Sequence, residues 1–414
     1  MANMARSNAS KDMPYQTRRN SPVQVRKSPV FAQSFRLDWH TNHSEKSMSR
    51  VSRLAACCGL SLVLSSSAWA DLPDEADITA RIDALLAETG IPGALVLIEE
   101  GEDRIIVARG LANRETGLPI ASDQFIRMAS VGKLYTAAVI HRLILDGRIA
   151  LDDRLADLID PHWIDGIANA DQATVRQLLN HTSGIPDYYD DTWFSLVDTV
   201  HLNTPERTLA HIHGVPADFE PGADHAYSNT NYQYLALVAE QVTGQSLEQL
   251  YRSTVFEPLG LDATGYNIQF DPRDVIHGYG SEIDPEADAY WLQENNGPDG
   301  GIFATIGETA DFVDAVFRPD GALSELGASM LSDRFDRGGG RYRALGPSYI
   351  EDERGFTAVT HGGSIAGYGT IVIRSISHDV TAIAHVNRDR PDIAGLLARD
   401  LFLETLDPAP AAED

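Results

Sequence analysis

Apolar residues recur along this chain with two different periods, and the change of period marks the change of element. Between residues 75 and 89, Ile78, Ile82, Leu85 and Leu86 fall on one helical face, and Gly90 supplies a stop. Gly93–Glu100 and Arg104–Leu111 then read as two β-strands around the turn Glu100-Gly101-Glu102-Asp103. The far end mirrors this pattern. Phe356–Thr360, Gly369–Ile376 and Val380–Asn387 read as three strands, and Asp392–Glu404 as a closing amphipathic helix. The stretch between them, roughly 150–330, carries helical periodicity broken by long loops. These patterns predict an α+β fold. One antiparallel sheet is assembled from both chain ends, flanked by the terminal helices, beside a mostly helical middle region.

Composition changes the picture at the N-terminus. The chain has 414 residues, 43% of them hydrophobic, enough for a substantial core. Its net charge is −27, but the first 70 residues hold 10 basic and 3 acidic residues, leaving −34 for residues 71–414. So acidic a body argues against nucleic acid or an anionic membrane as partner. The basic segment has its own logic. Arg50 and Arg53 precede the apolar run 54–64, and Ala68-Trp69-Ala70 precedes Asp71. That is the order of a signal peptide with its cleavage site, expected over 48–70. Residues 1–47 are expected to be a disordered or mis-assigned extension, and 406–414 a frayed tail. Both cysteines, Cys57 and Cys58, fall in the leader, so the mature chain has neither disulfide nor thiol nucleophile. No later run is long and apolar enough to span a bilayer. The expected product is a periplasmic or secreted protein without stable membrane insertion.

Candidate chemistry starts from one residue. Residues 71–414 contain 22 arginines and a single lysine, Lys133. Arginine stays protonated at any working pH, whereas a desolvated lysine can lose its proton and act as a base. Ser130 stands three residues earlier, at the start of the helical pattern Val131–Asp146, so both side chains share a helix face. This is the layout of a serine nucleophile with a built-in base at a helix N-terminus. A phosphate-binding loop is excluded, because Arg127 and Leu134 stand where its glycine and hydroxyl residue belong. Tyr227-Ser228-Asn229 lies on a loop before the helical pattern 232–242 and offers a proton-carrying phenol and an amide. The bland alternative for it is a helix cap. His361-Gly362-Gly363-Ser364 ends a predicted strand, where glycines let backbone approach a ligand. The bland alternative there is a glycine-rich turn.

These three elements, in this order, resemble the serine β-lactamase / penicillin-recognising superfamily. The resemblance is to its class C-like branch of D-alanyl-D-alanine carboxypeptidases, D-aminopeptidases and esterases. It covers about 75–405 and includes the runs 178–184, 256–261 and 300–302. It implies one β-lactamase-like hydrolase domain with Ser130 as nucleophile and Lys133 as base. Tyr227 would carry the proton to the leaving group, and Asn229 would orient the substrate amide. His361, Gly362, Gly363 and Ser364 would form the substrate edge, with the N–H groups of Ser130 and Ser364 as oxyanion hole. No metal or cofactor is implied, and the partner is a small-molecule or peptide substrate. His361 departs from the β-lactamase pattern, which usually has Lys there. A neutral imidazole gives a substrate carboxylate no permanent cation, so Arg374 or Arg388 is expected to help if such a substrate is used. The resemblance leaves three rivals to a carboxypeptidase or esterase: a β-lactamase, a non-hydrolytic penicillin-binding sensor and an inactive scaffold.

Three further readings are weaker. His211, His213 and His225 would form a metal site only if they converged. Tyr188, Tyr189, Trp193 and Phe194 are either a cleft wall or packing. His181 reads as structural rather than catalytic.

Overall fold

Asp74 caps the first described helix, its carboxylate accepting from the Ala76 N–H at 2.8 Å. That helix, α1 (Glu75–Thr89), buries Ile78 and Ile82 and stops at Gly90 in the left-handed conformation. A computed structural model describes residues 72–190, 192–193, 203–267, 274–280, 297–352 and 355–406. The predicted leader, the extension before it, Phe194 and the C-terminal tail beyond Leu406 lie outside these residues.

The sheet is antiparallel and draws on both chain ends. Among the described residues it has nine strands, with the N-terminal three at one end and the C-terminal six continuing from them in reverse chain order. The N-terminal strands are β1 (Gly93–Glu100), β2 (Asp103–Asn113) and β3 (Leu118–Pro119). A short strand, β4 (Ile126–Arg127), pairs in a separate three-stranded sheet with β5 (Thr264–Tyr266) and β6 (Ile302–Ala304). The C-terminal strands are β7 (Arg334–Asp336), β8 (Arg341–Ala344), β9 (Ser348–Glu351), β10 (Thr357–Ile365), β11 (Tyr368–Ser375) and β12 (Val380–Val386). The two ends meet where β1 pairs β12, from Ala94 opposite Val386 to Glu100 opposite Val380.

Both faces of this central pair are covered, which explains why β1 reads as a continuous apolar run. Ala94, Val96 and Ile98 pack with Ile78, Ile82, Leu397 and Leu401 from α1 and the closing helix (Pro391–Leu406). Leu95 and Leu97 point the other way. They join the larger core with Leu134 of α2 (Lys133–Leu145) and Phe312 and Val313 of the helix Ile306–Phe317. The fold is therefore helix, sheet and helix in three layers, with the helical middle region on the second face.

Two expectations need correction. The strand predicted to stop at Thr360 is longer: β10 continues through His361, Gly362, Gly363 and Ser364, opposite Val372, Ile371, Thr370 and Gly369 of β11. Backbone pairing overrides the low strand propensity of glycine, and packing requires it, since a Cβ on Gly363 would stand 2.3 Å from the Met128 carbonyl oxygen. The sheet is also wider than the pattern suggested. Strands β7, β8 and β9 have only three or four residues each, too few for a period to register.

Candidate active site

Ser130 sits in a tight turn between β4 and α2. The Met128 N–H donates to the Ile302 carbonyl at 3.0 Å, anchoring the turn to the small sheet. Ala129 then takes φ 46°, a left-handed conformation that costs a non-glycine residue about 1 kcal/mol or more. The 3-10 turn Ala129–Gly132 follows, and α2 begins at Lys133. Ser130 thus precedes the α-helix in a 3-10 turn instead of opening it, and remains half-buried and reachable. The strained residue directly before it is locked between β10 and the buried Met128.

Lys133 is fully buried. Its Nζ lies 3.1 Å from Ser130 Oγ, 2.7 Å from Asn229 Oδ1 and 2.6 Å from the Asp299 carbonyl oxygen. An ammonium has three N–H donors, and all three have acceptors here. The Tyr227 ring centre stands 5.1 Å from Nζ and the Tyr232 ring centre 5.5 Å, within cation–π range. The Tyr227 hydroxyl itself is buried with no hydrogen-bond partner. Such an orphan is costly unless something in the functional cycle uses it.

Asn229 opens the helix Thr230–Thr243 and is held on both sides. Its side-chain N–H donates to Asp187 Oδ2 at 3.0 Å, its backbone N–H donates to Asp187 Oδ1 at 2.9 Å, and its Oδ1 accepts from Lys133. Burial pushes the Asp187 carboxyl up to about 7, with the Tyr189 and Asn229 N–H groups and Lys133 pulling it back. Asp299 supports Lys133 through its backbone while its side chain accepts from Tyr188 Oη at 2.7 Å and Gln233 Nε2 at 2.8 Å. Burial pushes that carboxyl up as well, against the pull of Lys133.

His361 is buried on β10. Its Nδ1–H donates to the Gly362 carbonyl at 2.9 Å, leaving Nε2 with its lone pair and no partner. Burial first, then the charges of Arg343 and Lys133, hold this imidazole well below its ordinary value, so it is neutral. Ser364 turns its hydroxyl away to donate to Asp389 Oδ1 at 2.8 Å.

The structure therefore brings Ser130, Lys133, Tyr227 and Asn229 together and lays the 361–364 segment alongside the Ser130 turn. It does not bring in either proposed arginine. The Arg374 guanidinium is 2% exposed and engaged by Asp314 at 3.1 Å and Asp379 at 2.5 Å. Arg388 donates to the Gly90 carbonyl at 3.2 Å. The three histidines of the candidate metal site also do not converge. His211 faces Asp190 at 3.0 Å, His213 packs on Gly166, and His225 stacks on Phe335. Tyr188 and Trp193 are buried against each other, ring centres 5.0 Å apart, as packing. His181 stacks behind Tyr227 at 4.3 Å, and its Nδ1 accepts from the Ser228 N–H at 3.2 Å, a supporting position.

Pattern reading missed Asp187, Asp299 and Arg343. Asp187 follows the run 178–184, and Asp299 precedes Gly300-Gly301-Ile302, so both adjoin segments already singled out. Arg343 belongs to an arginine-rich stretch whose strands were not recognised.

Comparisons with known proteins identify the family and the fold. The family model described as Beta-lactamase matches residues 78–404. Penicillin-binding protein 4 of Amycolatopsis lactamdurans is 28% identical over 277 residues, 62% of this chain and 69% of that protein. Esterase EstB of Burkholderia gladioli is 30% identical over 208 residues, 47% of this chain and 53% of that one. Among solved structures, a D-stereospecific amidohydrolase from Streptomyces superposes with a TM-score of 0.68 at 25% identity, covering 82% of this chain and 100% of that one. With the sheet of two chain ends, the helical region beside it and a family match spanning nearly the whole described chain, the protein belongs to the beta-lactamase family.

Proposed function

We propose that the protein is an exported serine hydrolase that cleaves an amide or ester through an acyl-enzyme on Ser130. The observation that carries this reading is the buried Lys133 Nζ at 3.1 Å from a reachable Ser130 Oγ. Ser130 Oγ attacks the substrate carbonyl carbon, and its proton passes into the Lys133–Tyr227 pair. The bond to the leaving nitrogen or oxygen breaks as Tyr227 delivers that proton to it. Water then adds to the ester carbon, gives its proton to the same pair, and releases the acid product while Ser130 regains its hydroxyl. Asn229, clamped by Asp187 and Lys133, orients the substrate amide through what remains of its hydrogen-bonding capacity. Backbone N–H groups of the Ser130 turn and of β10 would hold the oxyanion.

The substrate class is a D-amino-acid peptide of the D-alanyl-D-alanine kind or a small ester. The names of the relatives, a penicillin-binding protein, an esterase and a D-stereospecific amidohydrolase, support that range. Hydrolysis of β-lactams is the secondary reading, because the buried neutral His361 offers no cation at the position where β-lactamases keep lysine. Export rests on the leader at 48–70; among the described residues no helix is long and apolar enough to cross a membrane.

The test is incubation of purified protein with a fluorescent penicillin and a p-nitrophenyl ester, beside Ser130→Ala. Wild type is expected to become labelled and to release p-nitrophenol, and the variant to do neither. Equal behaviour of the two would remove Ser130 as nucleophile. A stoichiometric burst without turnover would instead favour the penicillin-binding sensor.

A further inference from the structure

Lys133 is fully buried, yet among the described residues no carboxylate touches its Nζ. The three acceptors there are a hydroxyl, a side-chain amide and a backbone carbonyl. Its counter-charges stand one step back. Asp187 reaches it through Asn229, and Asp299 through its own backbone carbonyl. The two carboxyls differ in surroundings. Asp187 is half-buried, so solvent screens part of its field, whereas Asp299 is 0% exposed. A direct ion pair would hold the proton on Lys133. Neutral acceptors with a carboxylate behind them leave the amine able to give it up.

Asp299 is locked by several parts of the chain. Two successive carbonyls dock its turn on α2: Pro298 O accepts from Thr136 Oγ1 at 2.6 Å, and Asp299 O from Lys133 at 2.6 Å. Thr136 has one hydroxyl proton, so it accepts in turn from Tyr251 Oη at 2.6 Å. The Asp299 carboxylate accepts from Tyr188 Oη at 2.7 Å and Gln233 Nε2 at 2.8 Å, and Tyr188 Oη accepts from Asn203 Nδ2 at 3.3 Å. Both partners of the carboxylate donate, which favours its ionised form and polarises the chain towards it. A Cβ on Gly297 would stand 2.8 Å from both Asp299 Oδ1 and Gln233 Nε2, so the carboxylate has no room to swing away. The titratable groups that face it are Lys133, Asp187 and the phenols of Tyr188, Tyr251 and Tyr266, which burial pushes up and keeps neutral. Lys133 is the cation of that set.

We propose that Asp299 is a positioning residue for the Ser130 reaction, one that aims its carbonyl at Lys133 and holds the counter-charge of that amine behind it. This rests on the acyl-transfer reading, in which Ser130 gives its proton to the Lys133–Tyr227 pair. One residue then has two duties. The carbonyl keeps Nζ turned towards Ser130 Oγ, and the carboxylate governs how readily the amine keeps a proton. Removing that negative charge makes the protonated amine less favourable, so the base is available at lower pH. A purely structural knot between α2, the helix Thr230–Thr243 and the 187–190 segment would behave otherwise. It would change stability, or rate equally at every pH.

The test is the pH profile of kcat/KM for a p-nitrophenyl ester, measured on wild type, Asp299→Asn and Tyr188→Phe. Asp299→Asn keeps the size and the backbone carbonyl but removes the charge. Its acid limb is expected to move to lower pH by about one unit, the scale of one charge several ångströms away in a protein interior. The plateau should fall by no more than about 10-fold, because the carbonyl still orients the amine. Tyr188→Phe keeps the carboxyl and removes one donor to it, so the ionised form is less favoured and the limb should move the same way by less. Acid limbs that coincide in all three proteins overturn the proposal, as does a limb that moves to higher pH or a wild-type profile without one. If circular dichroism shows Asp299→Asn unfolded, Tyr188→Phe decides alone: a lowered limb supports the assignment and an unmoved one ends it. Failure of the underlying reading has a different signature, ester hydrolysis that persists in Ser130→Ala.

Discussion

Two buried arginines on the same sheet live in opposite surroundings. Arg374 on β11 is 2% exposed, with Asp314, Asp379 and the His378 carbonyl around its guanidinium. Arg343 on β8 is 6% exposed and has neither carboxylate nor carbonyl. One is a finished structural network, tied further by Thr381 Oγ1 donating to Asp314 at 2.7 Å. The other is an unmatched charge 5.5 Å from the centre of the Tyr227 ring. The difference teaches where this fold spends its strain. Around Arg374 two carboxylates balance the charge, although its Nε makes no hydrogen bond; around Ser130, Tyr227 Oη, His361 Nε2 and two Arg343 nitrogens have no partner and Ala129 holds a positive φ. Unmatched buried groups beside a reachable nucleophile fit a site that awaits a ligand.

The comparison breaks first at Lys133. Lys133→Arg removes the amine placed against Ser130 Oγ and puts there a guanidinium that cannot act as a base, so ester turnover is expected to fall by roughly 10⁴-fold. Circular dichroism should show an intact fold, and retained turnover would end the base role.

The next effect separates the two arginines by stability. Arg374→Met leaves Asp314 and Asp379 with only the more exposed Arg318 as their cation, at 3.6 Å and 2.9 Å, a loss of up to about 3 kcal/mol in urea melts. Arg343→Met removes an unmatched buried charge and is expected to change stability by less than about 1 kcal/mol, or to raise it. Equal destabilisation by both would mean that Arg343 is structural too.

Gly363→Ala probes the contact between β10 and the Ser130 turn. Its Cβ would stand 2.3 Å from the Met128 carbonyl oxygen and 3.2 Å from Ala129 Cβ. Displacing the turn should cost about 100-fold in acylation rate and about 1–3 kcal/mol of stability. A variant with unchanged acylation kinetics would show that this close approach does not matter.

The smallest effect per group is on pH dependence, and it spans both regions. Burial holds His141 down to about 4 and His385 down to about 3 in the scaffold, and keeps His181 and His361 well below the ordinary value at the site. The unfolded chain takes up those protons below about pH 6.5 while the fold resists them, so stability falls as pH drops, levelling only near the folded values. Each group contributes up to about 1.4 kcal/mol per pH unit. Asp187, raised to about 7, and Glu99, raised to about 8, act in the opposite sense, since their protonated forms are favoured in the fold and stability is lost as pH rises through those values. Counting His225, held at about 3, five histidines outnumber Asp187, Glu99 and Asp299, so urea midpoints should fall from pH 6.5 to pH 5. A rising midpoint would contradict the neutral buried imidazoles.

Much of the architecture was legible in the chain. The helix before Gly90, the β1–β2 hairpin, the strands from 369 to 387 and the closing helix are local patterns whose periods survive folding. The Ser130–Lys133 spacing is also local, because three residues make one helical turn. The short strands β7, β8 and β9 were not legible. Their pairing comes from neighbours along the sheet, and four residues carry too little pattern to announce it.

By itself, then, the sequence determined the sheet of two chain ends and the pairing of the lone Lys133 with Ser130, since both follow from periodicity and short-range geometry. It also brought out the tyrosine–asparagine and histidine–glycine segments as candidates. Only the tertiary structure decided which charges face that pair. Arg374 and Arg343 are the same residue type on neighbouring parts of one sheet. Whether a guanidinium meets aspartates or an aromatic ring depends on contacts between residues far apart in the chain, such as Arg374 with Asp314 or Arg343 with Tyr227, which no local pattern encodes.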